Sequence, residues 1–507
     1  MDSYYPQHFL LISIHVHKDQ KTLAKAAKLA SAGQFERALP LYNELVQKYP
    51  AQAELAMQLA KVLGLTGRWD DANEIHQIML ANSHGADEVK VRMARDLEER
   101  GDLRGALSVW RDLSQASMTH RQEGVFHTVR LLERLNEVDE ALKLWGTFQM
   151  CAGVWGHSWL DGRLLMRRGG HSQAVDRFEK AYLQASGEFK LRCLSELVRA
   201  NDRLEHYEDA WRWIQVLSEA RQAEVDQFKK LPNLQPLGGH ELPMLESVNE
   251  KDLAKGRQLI MMVGMPRSGT TLLAHQLHQR YELGLSEEYD YMKHLVDNVS
   301  FSSSKSRSPE GVKKRGAVSK YIDLYWEAQK QTGAFEGESA DVPLLDKNPA
   351  MESLLPWVLA LFPNVAIIWV ERDPRDAWLS SVAMDAPVNP VSCWWQNPVD
   401  YGLWCQNLAE SRELLEQALP EERFIRVAYR DLVSGNEKVL QRTASLLGLQ
   451  ARDETREAAL VTSPSYVEVQ QPVQDTRIDR WQKYRPFIKG DQLAAFDSLP
   501  EKLGIEA

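Results

Sequence analysis

One six-residue pattern recurs along the first half of the chain at a fixed interval. Gly33-Gln-Phe-Glu-Arg-Ala38 returns as Gly67-Arg-Trp-Asp-Asp-Ala72 and as Gly101-Asp-Leu-Arg-Gly-Ala106, 34 residues apart each time. Weaker copies stand at Asn136–Ala141, Gly169–Ala174 and Glu205–Ala210, the spacing drifting by a residue or two. Each unit reads as helix, short turn, helix. The glycine suits a helix C-terminus, where φ turns positive, and the alanine sits early in the next helix, where a small side chain lets two helices approach. Such units cannot bury an apolar face alone, so they stack into a solenoid.

The array resembles the tetratricopeptide-repeat family, which implies protein or peptide binding on the concave side. Bracing of a neighbouring domain, or dimer formation, is the alternative that the residues leave open. At 507 residues the chain exceeds one ordinary core. After Ala220 the pattern fades into KKLPNLQPLGGHELPML, where Pro232, Pro236, Gly238, Gly239 and Pro243 break helices and mark a junction. The expected division is an N-terminal segment 1–20, a repeat domain 21–224, a linker 225–256 and a second domain 257–507.

A formal net charge of −10 argues against a chain whose main business is holding nucleic acid, though not against a local basic pocket for one small anion. Cys151, Cys193, Cys393 and Cys405 form no CxxC pair, which points to a reduced, cytoplasmic setting. The apolar run Phe9 to Val16 follows no basic residue, is interrupted by His15 and precedes no cleavage site, so it does not read as a signal peptide. No stretch of 18 apolar residues is present to span a membrane. His275 and His278 lie one helical turn apart without further ligands at metal spacing, so they read as ordinary helix residues and no metal is expected.

The second half opens with LIMMVGMPRSGTTLLAHQLH (259–278). Leu259 to Val263 suits a buried parallel strand, Gly264 and Gly269 bracket a tight loop, and Thr270 begins a helix. Strand, glycine loop and helix N-terminus make an anion site. Gly264, Gly269 and Thr271 fit the Walker template, but Thr270 stands where its lysine should be, which counts against a kinase or ATPase. The loop's cation is Arg267. A second strand and helix follow in VAIIWVERDPRDAWLSS (365–381), with Arg372 at the strand's C-terminal end, Asp373 able to cap the helix, Pro374 in its first turn and Ser380 eight residues after Arg372. Arg375 reads as a solvated cation.

These motifs resemble the sulfotransferase family, in its tyrosylprotein-sulfotransferase-like branch, over residues 259–488. The resemblance implies a P-loop-like α/β domain with a central parallel sheet behind the all-α solenoid, and 3′-phosphoadenosine 5′-phosphosulfate as co-substrate. It assigns Arg267, Ser268, Gly269, Thr270 and Thr271 to the 5′-phosphosulfate, and Arg372 with Ser380 to the 3′-phosphate. It makes Glu288, twenty-one residues after Arg267, the general base, while Glu287 would point elsewhere. Lys347 in LLDKNPAM would contact the bridging oxygen and share with Arg267 the charge developing there. Tyr429 matches a tyrosine near the adenine, a plain core tyrosine being the alternative. One of Arg477, Arg480 and Lys483 would reach the 3′-phosphate. Asp479 stands where some members carry a serine touching the sulfate region.

Two stretches read either way. KSRSPEGVKKR (305–315) is a lid, a solvated face or an attractor of an acidic acceptor, and CWWQNPVDYGLWC (393–405) is core packing or an acceptor wall. The expected activity is sulfuryl transfer to a hydroxyl, protein tyrosine among the acceptors. A small-molecule or glycan acceptor with scaffolding repeats, or an inert fold serving as a binding module, are the alternatives.

Overall fold

The computed structural model describes residues 19–50, 52–82, 86–99, 101–147, 155–229, 258–301, 318–339, 341–385, 388–389, 391–455 and 477–505. The N-terminal apolar run, Cys151, the proline-rich junction and the basic segment 305–315 lie outside these residues.

In the repeat half the described helices are α1 Gln20–Ser31, α2 Phe35–Lys48, α3 Ala53–Leu65, α4 Trp69–Asn82, α5 Ala86–Glu99, α6 Leu103–Ala116, α7 Arg121–Arg134, α8 Val138–Thr147, α9 Trp155–Arg167, α10 His171–Gln184, α11 Glu188–Arg203 and α12 Tyr207–Lys229. Left-handed backbone at the turn glycines is as the repeat requires, with φ of 71° at Gly33, 78° at Gly67, 84° at Gly101 and 77° at Gly169. The degenerate copies keep the same geometry without glycine, at Asn136 (φ 65°) and Glu205 (φ 60°), and such a residue costs ~1–2 kcal/mol that the packing of the pair must offset. Ala38, Ala72, Ala106, Ala141, Ala174 and Ala210 are all buried; a larger side chain there would overpack the helix pair, typically by ~1–3 kcal/mol.

The second half is built on five parallel strands: β1 Leu259–Gly264, β2 Gly284–Glu287, β3 Leu344–Lys347, β4 Ala366–Glu371 and β5 Phe424–Ala428. Their order in the sheet is β2-β3-β1-β4-β5. Around them lie α13 Thr270–Arg280, α14 Tyr291–Phe301, α15 Val318–Gln331, α16 Leu355–Leu361, α17 Pro374–Val382, α18 Pro398–Ala418, α19 Tyr429–Ser434, α20 Asn436–Leu447, α21 Trp481–Tyr484, α22 Asp491–Asp497 and α23 Leu499–Leu503. Alternation along β1 divides the core. Met261 and Val263 join Val358, Trp369 and Trp378 on one face, while Ile260 and Met262 join Leu273, Leu277, Ile368 and Leu440 on the other.

The two halves share a core. Ala210, Trp211 and Ile214 of α12 belong to the first sheet face. The array also touches the α/β domain near its beginning: Trp69 Nε1 donates to the Tyr291 hydroxyl at 2.7 Å, and Gly67 lies so close to α15 that a Cβ on it would stand 2.2 Å from Ala328 Cβ. Near its end, Arg221 donates to the carbonyls of Val382 (3.2 Å) and Met384 (2.7 Å). Between these contacts, Arg134 of α7 is half-buried; desolvation lowers its pKa, and Glu98 and Glu287, the latter at the tip of β2, oppose that shift. Among the described residues no helix is long and apolar enough to cross a membrane.

Candidate functional site

The phosphate loop is shaped by its two glycines. Gly264 (φ 131°) lets β1 end against β4, since a Cβ there would stand 2.3 Å from the Val370 carbonyl oxygen. Gly269 (φ 99°) caps α13, and a Cβ on it would meet the Tyr429 ring at 2.6 Å. The first amides of α13 thus open toward the loop with the helix dipole behind them. Ser268 is wholly buried and its Oγ has no hydrogen-bond partner among the described residues, the condition an incoming anion would relieve. Arg267 takes left-handed backbone (φ 67°), and its Nε donates to Ser380 Oγ at 3.0 Å.

The lysine missing from the loop arrives from the neighbouring strand. β3 pairs with β1 in parallel, setting Lys347 beside Met262. The Lys347 side chain is fully buried, and its Nζ lies 2.5 Å from Glu288 Oε1 and 3.2 Å from Thr271 Oγ1. Glu288 sits just past β2 in left-handed backbone (φ 48°), anchored by its own N–H donating to the Lys347 carbonyl at 2.8 Å. Base candidate, lysine and phosphate-loop threonine therefore form one contact chain.

Two sequence readings need correction here. Glu287 does not point elsewhere: it is buried, hydrogen-bonds His275 Nε2, and lies 4.0 Å from Lys347 Nζ. His275 is consequently not an ordinary helix residue. It provides a buried polar partner to Glu287, and nothing in its sequence context signalled that. His278 is structural, its Nδ1 2.8 Å from the Leu283 carbonyl oxygen.

Asp346, next to Lys347, is buried and accepts from the Tyr325 hydroxyl at 2.7 Å. Burial pushes its pKa up to about 6, against the opposing Tyr325 hydrogen bond and Lys347 charge. The folded protein then holds a proton that the unfolded chain releases near pH 4, so this carboxyl's contribution is full below that pH and is lost as pH rises through about 6. Asp346→Asn should accordingly gain on the wild type by up to about 3 kcal/mol between pH 4 and pH 7. Chemical unfolding at several pH values reads this, and a pH-independent difference would mean that Asp346 is ionised throughout.

Arg372, at the end of β4, is the second anchor. Its Nη1 donates to the Arg267 carbonyl (3.1 Å) and its Nη2 to that of Arg477 (2.5 Å). Its guanidinium lies 4.4 Å from the Tyr429 ring centroid, and its Nε is buried without a hydrogen-bond partner among the described residues. Burial lowers its pKa, countered first by Asp376. Asp373 caps α17 by accepting from the Arg375 N–H at 2.9 Å. Arg375 itself is not solvated: it is buried, forked onto Asp373 and stacked 3.6 Å from the Trp481 ring centroid. Tyr429 packs between Gly269 and Arg372.

Of the three C-terminal cations, Arg477 and Arg480 line a cavity of about 490 Å³ between the repeats and the α/β domain, which Arg267 and Ser380 also face. Lys483 is exposed and does not. Asp479 takes left-handed backbone (φ 57°) and turns to Arg430, at 2.9 and 3.1 Å. The aromatic stretch is core and interface rather than an acceptor wall. Trp395, Tyr401 and Trp404 lie in the sheet core, and Trp394 packs, with Phe228 of α12, against Val225, Val388 and Cys393. Cys193, Cys393 and Cys405 are buried, and burial raises the thiol pKa of each, which works against any of them as a nucleophile.

Residues 259–453 match the model of the sulfotransferase family, and residues 29–95 match a tetratricopeptide-repeat model. No curated protein matches the chain. Among solved structures it is similar to the sulfotransferase domain of the Synechococcus PCC 7002 olefin synthase, at 18% identity over 50% of this chain and 98% of that one, TM-score 0.33. Sulfotransferase STF9 from Mycobacterium avium is similar at 14% identity over 73% of this chain and 96% of that one, TM-score 0.27. The chain thus carries tetratricopeptide repeats followed by a sulfotransferase-family domain, the domain of a transferase that moves sulfuryl groups.

Proposed function

We propose that the domain transfers a sulfuryl group from 3′-phosphoadenosine 5′-phosphosulfate to an acceptor hydroxyl by in-line displacement, with Glu288 as general base. The observation that carries this reading is the position of Lys347 Nζ, in contact with both Glu288 and Thr271. It ties the proton acceptor to the phosphate loop. The α13 amides and the unpartnered Ser268 hydroxyl suit the 5′-phosphosulfate, and Arg372, with a spare Nε donor, and Ser380 suit the 3′-phosphate. Tyr429, against Arg372, borders the nucleoside.

In this scheme the acceptor oxygen forms a bond to sulfur as the bond from sulfur to the phosphate oxygen breaks. The acceptor's proton passes to Glu288. Lys347 then exchanges its contact with Glu288 for the leaving oxygen, and Arg267 faces the charge from the other side. Each such cation contributes about 2–4 kcal/mol of transition-state stabilisation. The repeats are read as holding a protein or peptide acceptor whose hydroxyl, a tyrosine's among the candidates, reaches Glu288. Arg372→Ala tests the nucleotide assignment. It should weaken adenosine 3′,5′-bisphosphate binding by about tenfold or more, a charge-assisted pair being worth ~1.5–3 kcal/mol. Unchanged affinity in calorimetric titration removes the assignment.

A further inference from the structure

The cavity between the repeats and the α/β domain is more cationic than the phosphate-binding residues of the second half account for. Seven arginines and three carboxylates line its 490 Å³. Glu133 pairs with Arg163 at 2.9 Å, Glu196 with Arg163 at 2.9 Å and Arg199 at 3.4 Å, and Asp202 with Arg480 at 2.9 Å, which leaves an excess of positive charge that an anion entering the partly enclosed space would balance. Five of the lining residues, Glu196, Val198, Arg199, Asp202 and Arg203, come from α11 of the repeat array, the last three carrying its charge toward the α/β domain. The spacing of those three places them on one helix stripe, and Ser380 belongs to the same cavity.

Asp202 ties that stripe to the nucleotide anchor. Its carboxylate accepts from Arg480 Nη1 at 2.9 Å and from the Tyr484 hydroxyl at 2.5 Å. It thereby holds the stretch 477–484 against the array. The same stretch presents the Arg477 carbonyl to Arg372 Nη2, and the Trp481 N–H donates to Asp376 Oδ1 at 2.8 Å, beside Arg372. Hydrogen bonds at both ends and the backbone of 477–484 between them thus link α11 to the arginine at the end of β4.

We infer that α11 forms the outer wall of the site for the co-substrate's 3′-phosphate, with Arg199 and Arg203 facing the phosphate across from Ser380 and Asp202 as a positioning residue that latches 477–484. The inference rests on the nucleotide assignment of the proposed function. It makes the repeat array a part of the nucleotide site in addition to any role with acceptors.

The test is calorimetric titration of the full chain with adenosine 3′,5′-bisphosphate and with adenosine 5′-monophosphate, which lacks the 3′-phosphate. Joint Arg199→Gln and Arg203→Gln replacement should weaken the bisphosphate at least tenfold and leave the monophosphate unchanged. Asp202→Asn should shift in the same sense. Arg192→Gln, on the same helix but outside the cavity, should change neither. Unchanged bisphosphate affinity in the double variant, or an equal loss for both nucleotides, overturns the inference. A wild-type chain that binds both nucleotides alike sinks the nucleotide assignment itself, and the inference with it.

Discussion

Lys347→Ala is expected to lower turnover by about 10²–10³-fold, the cost of losing one preorganised charge at a developing anion. The argument rests on where the side chain ends. It is fully buried, and its ammonium touches Glu288 and Thr271 and lies 4.0 Å from Glu287. No neighbouring lysine replaces it in the phosphate loop, where the Walker position is Thr270. Removing it also leaves Glu287 and Glu288 without their shared cation, and breaking a buried pair on one side costs about 3–5 kcal/mol. Glu288 is partly exposed, which brings that figure toward its lower end. Loss of activity must therefore be read beside an unfolding curve. Lys347→Met, close in volume, separates charge from packing. Near-normal turnover in a folded Lys347→Met variant would remove the lysine from the chemistry.

Glu288→Gln should lower kcat by about 10²–10⁴-fold, the range for a positioned general base. Its amide oxygen can still accept from Lys347, so adenosine 3′,5′-bisphosphate affinity should stay within about twofold. Glu287→Gln is the informative partner, because both carboxylates approach Lys347 but only Glu287 is held by His275. If Glu287→Gln loses turnover and Glu288→Gln does not, the proton goes to Glu287. Joint loss with intact nucleotide binding makes Glu287 and His275 the support that fixes Lys347.

Much of this was legible in the sequence because it depends on local backbone chemistry. The turn glycines at 33, 67, 101 and 169 mark left-handed positions, and the alanines after them mark close helix contacts. Gly264 and Gly269 announce the loop in the same way. The contacts that the sequence could not yield are long-range. Lys347 reaches Thr271 of the loop only because β3 lies beside β1, and no spacing rule encodes that. His275 looked ordinary because its partner Glu287 comes from a different element. Arg375 looked solvated because Trp481, which it covers, is over a hundred residues away. Left-handed backbone at Arg267 and Glu288 is unreadable for the opposite reason: neither residue type favours it, so tertiary contacts impose it on two of the residues proposed for the chemistry.

The most direct measurement is calorimetric titration of the wild-type chain with adenosine 3′,5′-bisphosphate and, separately, with ATP, both in EDTA. The nucleotide site described above predicts micromolar binding of the bisphosphate and little or none of ATP. Absence of bisphosphate binding, or a preference for ATP, would contradict it and leave the α/β domain as a fold carried by the repeats without the proposed chemistry.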